Sequence, residues 1–149
     1  MNESNDRFER DEIIFKGSWP FFPLGKIAKI LDVNEAALSR FCGKTPEILN
    51  FALIVTDISK KDTQLYLNPI SCHLLISLSP ATICGKRLKT AAITVVKGIT
   101  DKKTSFVKRV LKFSPPFIKA IYQWSDLGER ETQPPYNPFE LFEGNEPVQ

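Results

Sequence analysis

The sequence predicts an α+β fold: a compact antiparallel β-sheet or sandwich with an N-terminal helical segment and C-terminal amphipathic helices. Three observations lead there. Apolar residues recur at helical spacing over 26–42, short β-branched and aromatic runs separated by turn residues fill 49–96, and amphipathic stretches bracket Pro115-Pro116. The 149 residues, 42% hydrophobic and 25% charged, suit one domain with its own core and leave little room for a second. The expected organisation is an acidic N-terminal arm over 1–12, one globular domain over 13–127 and a disordered acidic tail over 128–149.

Each element has a local reason. Residues 12–16 (EIIFK) are short and apolar, as an edge strand would be. The SWPFFPLG crossing over 18–25 sets Pro20 and Pro23 around Phe21-Phe22, which argues against a helix interior or a central strand and for a segment that pins one edge of the core. In 26–42, Ile27, Ile30 and Leu31 precede Asp32-Val33-Asn34. Asn34 can cap a second helix whose inner face holds Ala37, Leu38 and Phe41. Four strands are expected at 49–57, 64–70, 72–79 and 88–96, joined by connections too short for parallel crossovers and hence antiparallel. Beyond Thr100-Asp101, Phe106, Val107, Val110 and Leu111 share one face of a helix over 104–113, with Lys108, Arg109 and Lys112 opposite. Pro115 and Pro116 end it and open another helix over 117–125.

The chemistry-bearing residues are few. Cys42, Cys72 and Cys84 are an odd number at separations that match neither a disulfide framework nor a CxxC site. They read as small buried hydrophobes in a reducing compartment, cytosol or nucleus. The single histidine, His73, is expected half-buried in a strand, and one His cannot populate most triads or zinc sites. No enzyme, cofactor or metal is therefore expected. No apolar run approaches the ~18 residues of a membrane span, and MNESNDRFERDE does not resemble a signal peptide.

Charge is segregated along the chain. The net +3 conceals ten cations against Asp101 alone over 86–119, a local +9, flanked by five acids against two Arg over 1–12 and six acids against Arg130 over 126–149. Such a basic stretch attracts phosphate, on nucleic acid or on anionic lipid. Lys86, Arg87, Lys89, Lys102, Lys103, Lys108, Arg109 and Lys112 are the candidate phosphate-, RNA- or lipid-binding residues.

Two resemblances give this charge a setting. The order of SWPFFPLG crossing, helical segment, compact strands and basic helix over about 12–124 resembles the single-domain matrix proteins of bornaviruses and the N-terminal domains of filovirus and pneumovirus matrix proteins. The likeness lies in Ser18-Trp19-Pro20, Pro23-Leu24-Gly25 and the meander over 49–96. It implies a β-sandwich with helices at its edges and a structural protein that forms homo-oligomers. Such a protein binds anionic phospholipid at the inner leaflet and RNA or ribonucleoprotein during assembly and budding, in the virion and in the host cytoplasm or nucleus. The apolar faces of 19–24 and 117–124 would then pack the domain or its protomer contacts.

The second resemblance is shorter. Residues 27–41 are similar to the helix-turn-helix of phage-repressor-type DNA-binding proteins, with Ala28 where the helices approach and Asp32 where that family usually has Gly. It implies that Glu35, Ala36, Ser39 and Arg40 meet base edges and phosphates. A third class is an adaptor acting through the tail. Tyr136-Asn137-Pro138-Phe139 resembles a Tyr-x-x-bulky sorting signal, and Asn137-Pro138-Phe139 resembles the tripeptide read by endocytic EH domains, which would make a host trafficking adaptor the partner. A Pro-Pro-x-Tyr motif is missed by one position, because Tyr136 directly follows Pro135.

Overall fold

The computed structural model describes residues 7–57, 59 and 62–124, and it is an α+β fold. A curled four-stranded antiparallel sheet carries seven α-helices among the described residues. The strands are β1 (Ile14–Lys16), β2 (Trp19–Pro23), β3 (Ala52–Asp57) and β4 (Asp62–Leu67), in the order β1-β2-β4-β3. The helices α1 (Leu24–Leu31), α2 (Glu35–Gly43) and α3 (Pro46–Leu49) lie in sequence between β2 and β3. The helices α4 (Pro69–Leu78), α5 (Lys86–Thr100), α6 (Thr104–Lys112) and α7 (Pro116–Tyr122) follow β4.

Among the described residues the sheet is a single layer and no sandwich forms, because two of the expected strands are helices. Residues 72–78 fall in α4 and Ser79 is its C-cap; the helix starts where the Asn68 side chain accepts a hydrogen bond from the Ser71 N–H at 2.8 Å and Pro69 takes the first helical position. Residues 88–96 fall in α5, whose Leu88, Ala92, Val95 and Ile99 are all buried at helical spacing. The β-branched Ile93, Thr94, Val95 and Val96 favour a strand locally, but burying one helical stripe outweighs that preference.

The proline crossing is also placed differently from expectation. β2 is an interior strand, with Ile14 opposite Phe21 on one side and Phe22 opposite Leu67 on the other. No residue of β2 is paired on both sides, so Pro20 and Pro23 can each turn a missing donor away from the ladder.

The core reaches from one end of the described chain to the other. Phe8 is completely buried and stacks on Phe22 with ring centroids 4.3 Å apart, so the core begins within the described part of the acidic stretch. Phe22 and Leu24 enter the same core, as do Phe117, Ile118, Ile121 and Tyr122. The faces of 19–24 and 117–124 thus pack the domain itself. α7 is the hub, packed against α1, α5 and α6.

Candidate nucleic-acid interface

The first candidate surface is built by α1 and α2. Asp32 ends α1 in the left-handed conformation, φ 59° and ψ 48°, and the Val33 N–H donates to the Ala28 carbonyl at 3.0 Å. Asn34 then starts α2, its side chain accepting from the Ala37 N–H at 3.1 Å. Ile27 and Ala28 of α1 and Leu38 and Cys42 of α2 are buried, with Phe41 partly so. What remains outward on α2 is Glu35, Ala36, Ser39 and Arg40, all exposed and related by helical spacing. The structure therefore gathers the four residues implied by the helix-turn-helix resemblance onto one face.

Their roles are not equal. A Cβ placed on Gly25 would lie 3.2 Å from the Glu35 carboxylate, so this carboxylate sits over the first turn of α1. That turn has no acidic residue and no side-chain cap of its own. Glu35 thus compensates the positive end of α1 and braces the two helices, and its charge would repel phosphate. Arg40 is the cation of the four, and Lys44, the exposed C-cap of α2, adds a second one that the sequence reading left out.

The sheet extends this surface. Glu35 and Ser39 share a cleft of about 500 Å³ with Ile54, Thr63, Gln64 and Leu65 of the β3–β4 hairpin. Ile54 is 59% exposed there. Helix pair and hairpin are held as one unit, because β2 leads directly into α1 and pairs with β4 through Phe22–Leu67 and Pro23–Tyr66. These two pairings join residues 45 and 43 positions apart in sequence, and no short motif announces them.

The second candidate surface is the antiparallel pair α5–α6, joined by Asp101–Lys103. Gly98 makes it possible: a Cβ there would stand 2.6 Å from the Val107 side chain, closer than real side chains approach. Val107 and Leu111 face inward, while Lys108, Arg109 and Lys112 are exposed. Lys86 and Arg87 open α5, and Lys102 and Lys103 lie beyond its far end, about 22 Å away by helix rise. The predicted cations accordingly line a hairpin and do not converge on one spot. Lys89 departs from its expected role. Its ammonium donates to the Ser79 carbonyl at 2.5 Å and the Ser77 carbonyl at 3.4 Å, closing the C-terminal end of α4.

Where α5 begins, Lys86, Arg87, Thr90, Val110, Phe113 and Pro115 surround an open cleft of about 660 Å³. Phe113 is 80% exposed, and Arg109 lies over the Phe106 ring at 6.0 Å. Phe113 was given no role by sequence. Its position one residue beyond the last turn of α6 is the signal that places it outward.

The remaining titratable groups lie in the core. His73 is in α4 rather than in a strand and is 7% exposed; its Nε2 lies 3.0 Å from the Tyr122 hydroxyl of α7. Burial lowers the His73 pKa to about 4 and raises that of Tyr122. All three cysteines are free and buried. Burial, with a smaller contribution from Cys84, pushes Cys42 up to about 11, and burial raises Cys72 and Cys84 as well. Among the described residues no group of three or more His, Cys, Asp or Glu could hold a metal ion, and no helix is long and apolar enough to cross a membrane. Tyr136, Asn137, Pro138 and Phe139 lie outside the described residues.

Comparison of the chain with protein-family models, with curated proteins and with solved structures finds no match.

Proposed function

We propose that this protein binds duplex DNA as a non-catalytic regulator of transcription, presenting α2 to the major groove. The observation that carries the reading is the outward face of α2, where Ala36, Ser39 and Arg40 stand exposed on a helix fixed by the Asp32 turn, the Asn34 cap and the neighbouring hairpin. Small residues on that face allow close approach to base edges, and Arg40 supplies the donor fork suited to guanine or phosphate. The α5–α6 cations add sequence-independent attraction.

The test is a selection from random duplexes at two salt concentrations. Enrichment of a common sequence by the wild type, lost in Arg40→Ala while general affinity persists, is the expected result. Absence of any sequence preference would remove the reading.

The matrix-like reading stands second, as a self-assembling protein that binds anionic membrane and RNA or ribonucleoprotein. It is favoured by Phe106 and Phe113, exposed among the cations of α5–α6 as a membrane-facing or base-stacking surface would be. It comes second because segments 72–79 and 88–96, whose strands entered that resemblance, are helical. Flotation with anionic liposomes, unaffected by Arg40→Ala and abolished by Lys86→Glu with Arg87→Glu, would bring it to the front.

A further inference from the structure

The cleft at the start of α5 has an unusual composition. Lys86 and Arg87 stand in the first turn of a helix with no side-chain cap and no acid in that turn, so both cations add to the positive end of the backbone. Among the described residues neither is in an ion pair; the pairs formed there are Arg7–Glu9 and Lys26–Glu12. Beside them Phe113 exposes an aromatic ring and Val110 and Pro115 an apolar floor. An occupant that suits this cleft carries carboxylates alternating with aromatic or aliphatic side chains.

The same chain contains such a segment. Over 126–146, Asp126, Glu129, Glu131, Glu140, Glu143 and Glu146 face only Arg130, and Tyr136, Phe139, Leu141 and Phe142 are interspersed among them. The geometry permits the contact. Pro115 lines the cleft, and α7, only seven residues long, separates it from Trp124, where the described chain leaves off. α7 spans about 10 Å, whereas the 15 residues from Ser125 to Phe139 can reach more than 40 Å. Because the segment is tethered, its effective concentration is of the order of millimolar, and even a weak contact would be well populated.

We propose that the acidic segment 126–146 occupies the Lys86–Arg87–Phe113 cleft of its own chain, with its carboxylates on the two cations and its aromatic residues against Phe113. A phosphate backbone approaching the cleft would compete with the segment for the same two cations. Occupancy of the cleft is independent of the DNA-binding reading, since it is tested without nucleic acid.

The experiment uses the full chain with a photoreactive benzoylphenylalanine in place of Phe139. Irradiation should give an adduct within one chain to peptides containing Phe113 or Lys86–Ala91, with a yield that does not change with protein concentration. Lys86→Glu with Arg87→Glu, both at exposed positions, should cut that yield by about fivefold or more, and adding Glu140→Lys with Glu143→Lys should restore it. Circular dichroism melting of each variant checks that the fold is retained. Adducts between two chains, adducts elsewhere on the surface, or a yield indifferent to charge reversal would overturn the proposal.

Discussion

The α1–α2 pair and the α5–α6 pair are both short amphipathic helix pairs, but they are closed in opposite ways. The first is fixed at its turn, where Asp32 takes a left-handed conformation and Asn34 caps the next helix. The second is fixed along its length, where Gly98 lets the helices touch at Val107. Their surfaces differ as well: α2 presents small polar side chains with nearly balanced charge, α5–α6 presents cations and bare aromatic rings. In DNA recognition these are separate tasks, since phosphate contacts supply affinity and base-edge contacts supply discrimination. A molecule that divides them between two helix pairs can lose one while keeping the other.

The largest expected effect falls on the joint between the pairs. His73 of α4 and Tyr122 of the hub helix α7 meet at 3.0 Å in the core, and burial disfavours the charged imidazolium form. The folded pKa is lowered, so stability is complete above the unfolded value of about 6.5 and is lost as pH falls toward 4. The loss attributable to this one group reaches about 3 kcal/mol. Urea denaturation at pH 7, 5.5 and 4 should show it, with a shallower pH dependence in His73→Asn.

Second in size is Gly98→Val. Overpacking against Val107 should cost about 1–3 kcal/mol, and hydrogen exchange should accelerate in α5 and α6 more than in α1 and α2. Uniform acceleration would show that the two pairs are one cooperative unit.

Next come the surface cations, which divide by readout. Arg40→Ala should relax preference at one base position by about 1–3 kcal/mol with little change in stability. Lys112→Ala should weaken duplex binding alike for all sequences and reduce the salt slope by about one. Identical effects of the two variants would erase the proposed division of labour. The smallest effect is Asp32→Gly. Relief of the left-handed backbone should stabilise the α1–α2 turn by about 0.5–1 kcal/mol, read as a small rise in melting temperature.

The two pairs also differ in how far sequence revealed them. In α1–α2 the signals are local: Asn34 before Glu35, and Ile27, Leu31 and Leu38 at helical spacing, mark both helices and the turn. α5 could be read either way, because Ile93 to Val96 are β-branched while Leu88, Ala92, Val95 and Ile99 keep a helical period. α4 is apolar on nearly every side, so its period was uninformative and only Asn68-Pro69 marked its start. At the surfaces, Arg40 and the cationic run were legible as charges. The Glu35 contact over Gly25 and the Lys89 closure of α4 were not, because each depends on where a distant helix end comes to rest.

The three buried thiols have a practical consequence. Cys42, Cys72 and Cys84 lie on α2, on α4 and in the turn before α5, each shielded and with its pKa raised. A maleimide or other alkylating reagent at neutral pH can reach them only when the surrounding structure opens. The unaltered chain therefore carries its own internal clocks. The order in which the three sulfurs are modified, followed by mass spectrometry, times the opening of each region without any engineered label.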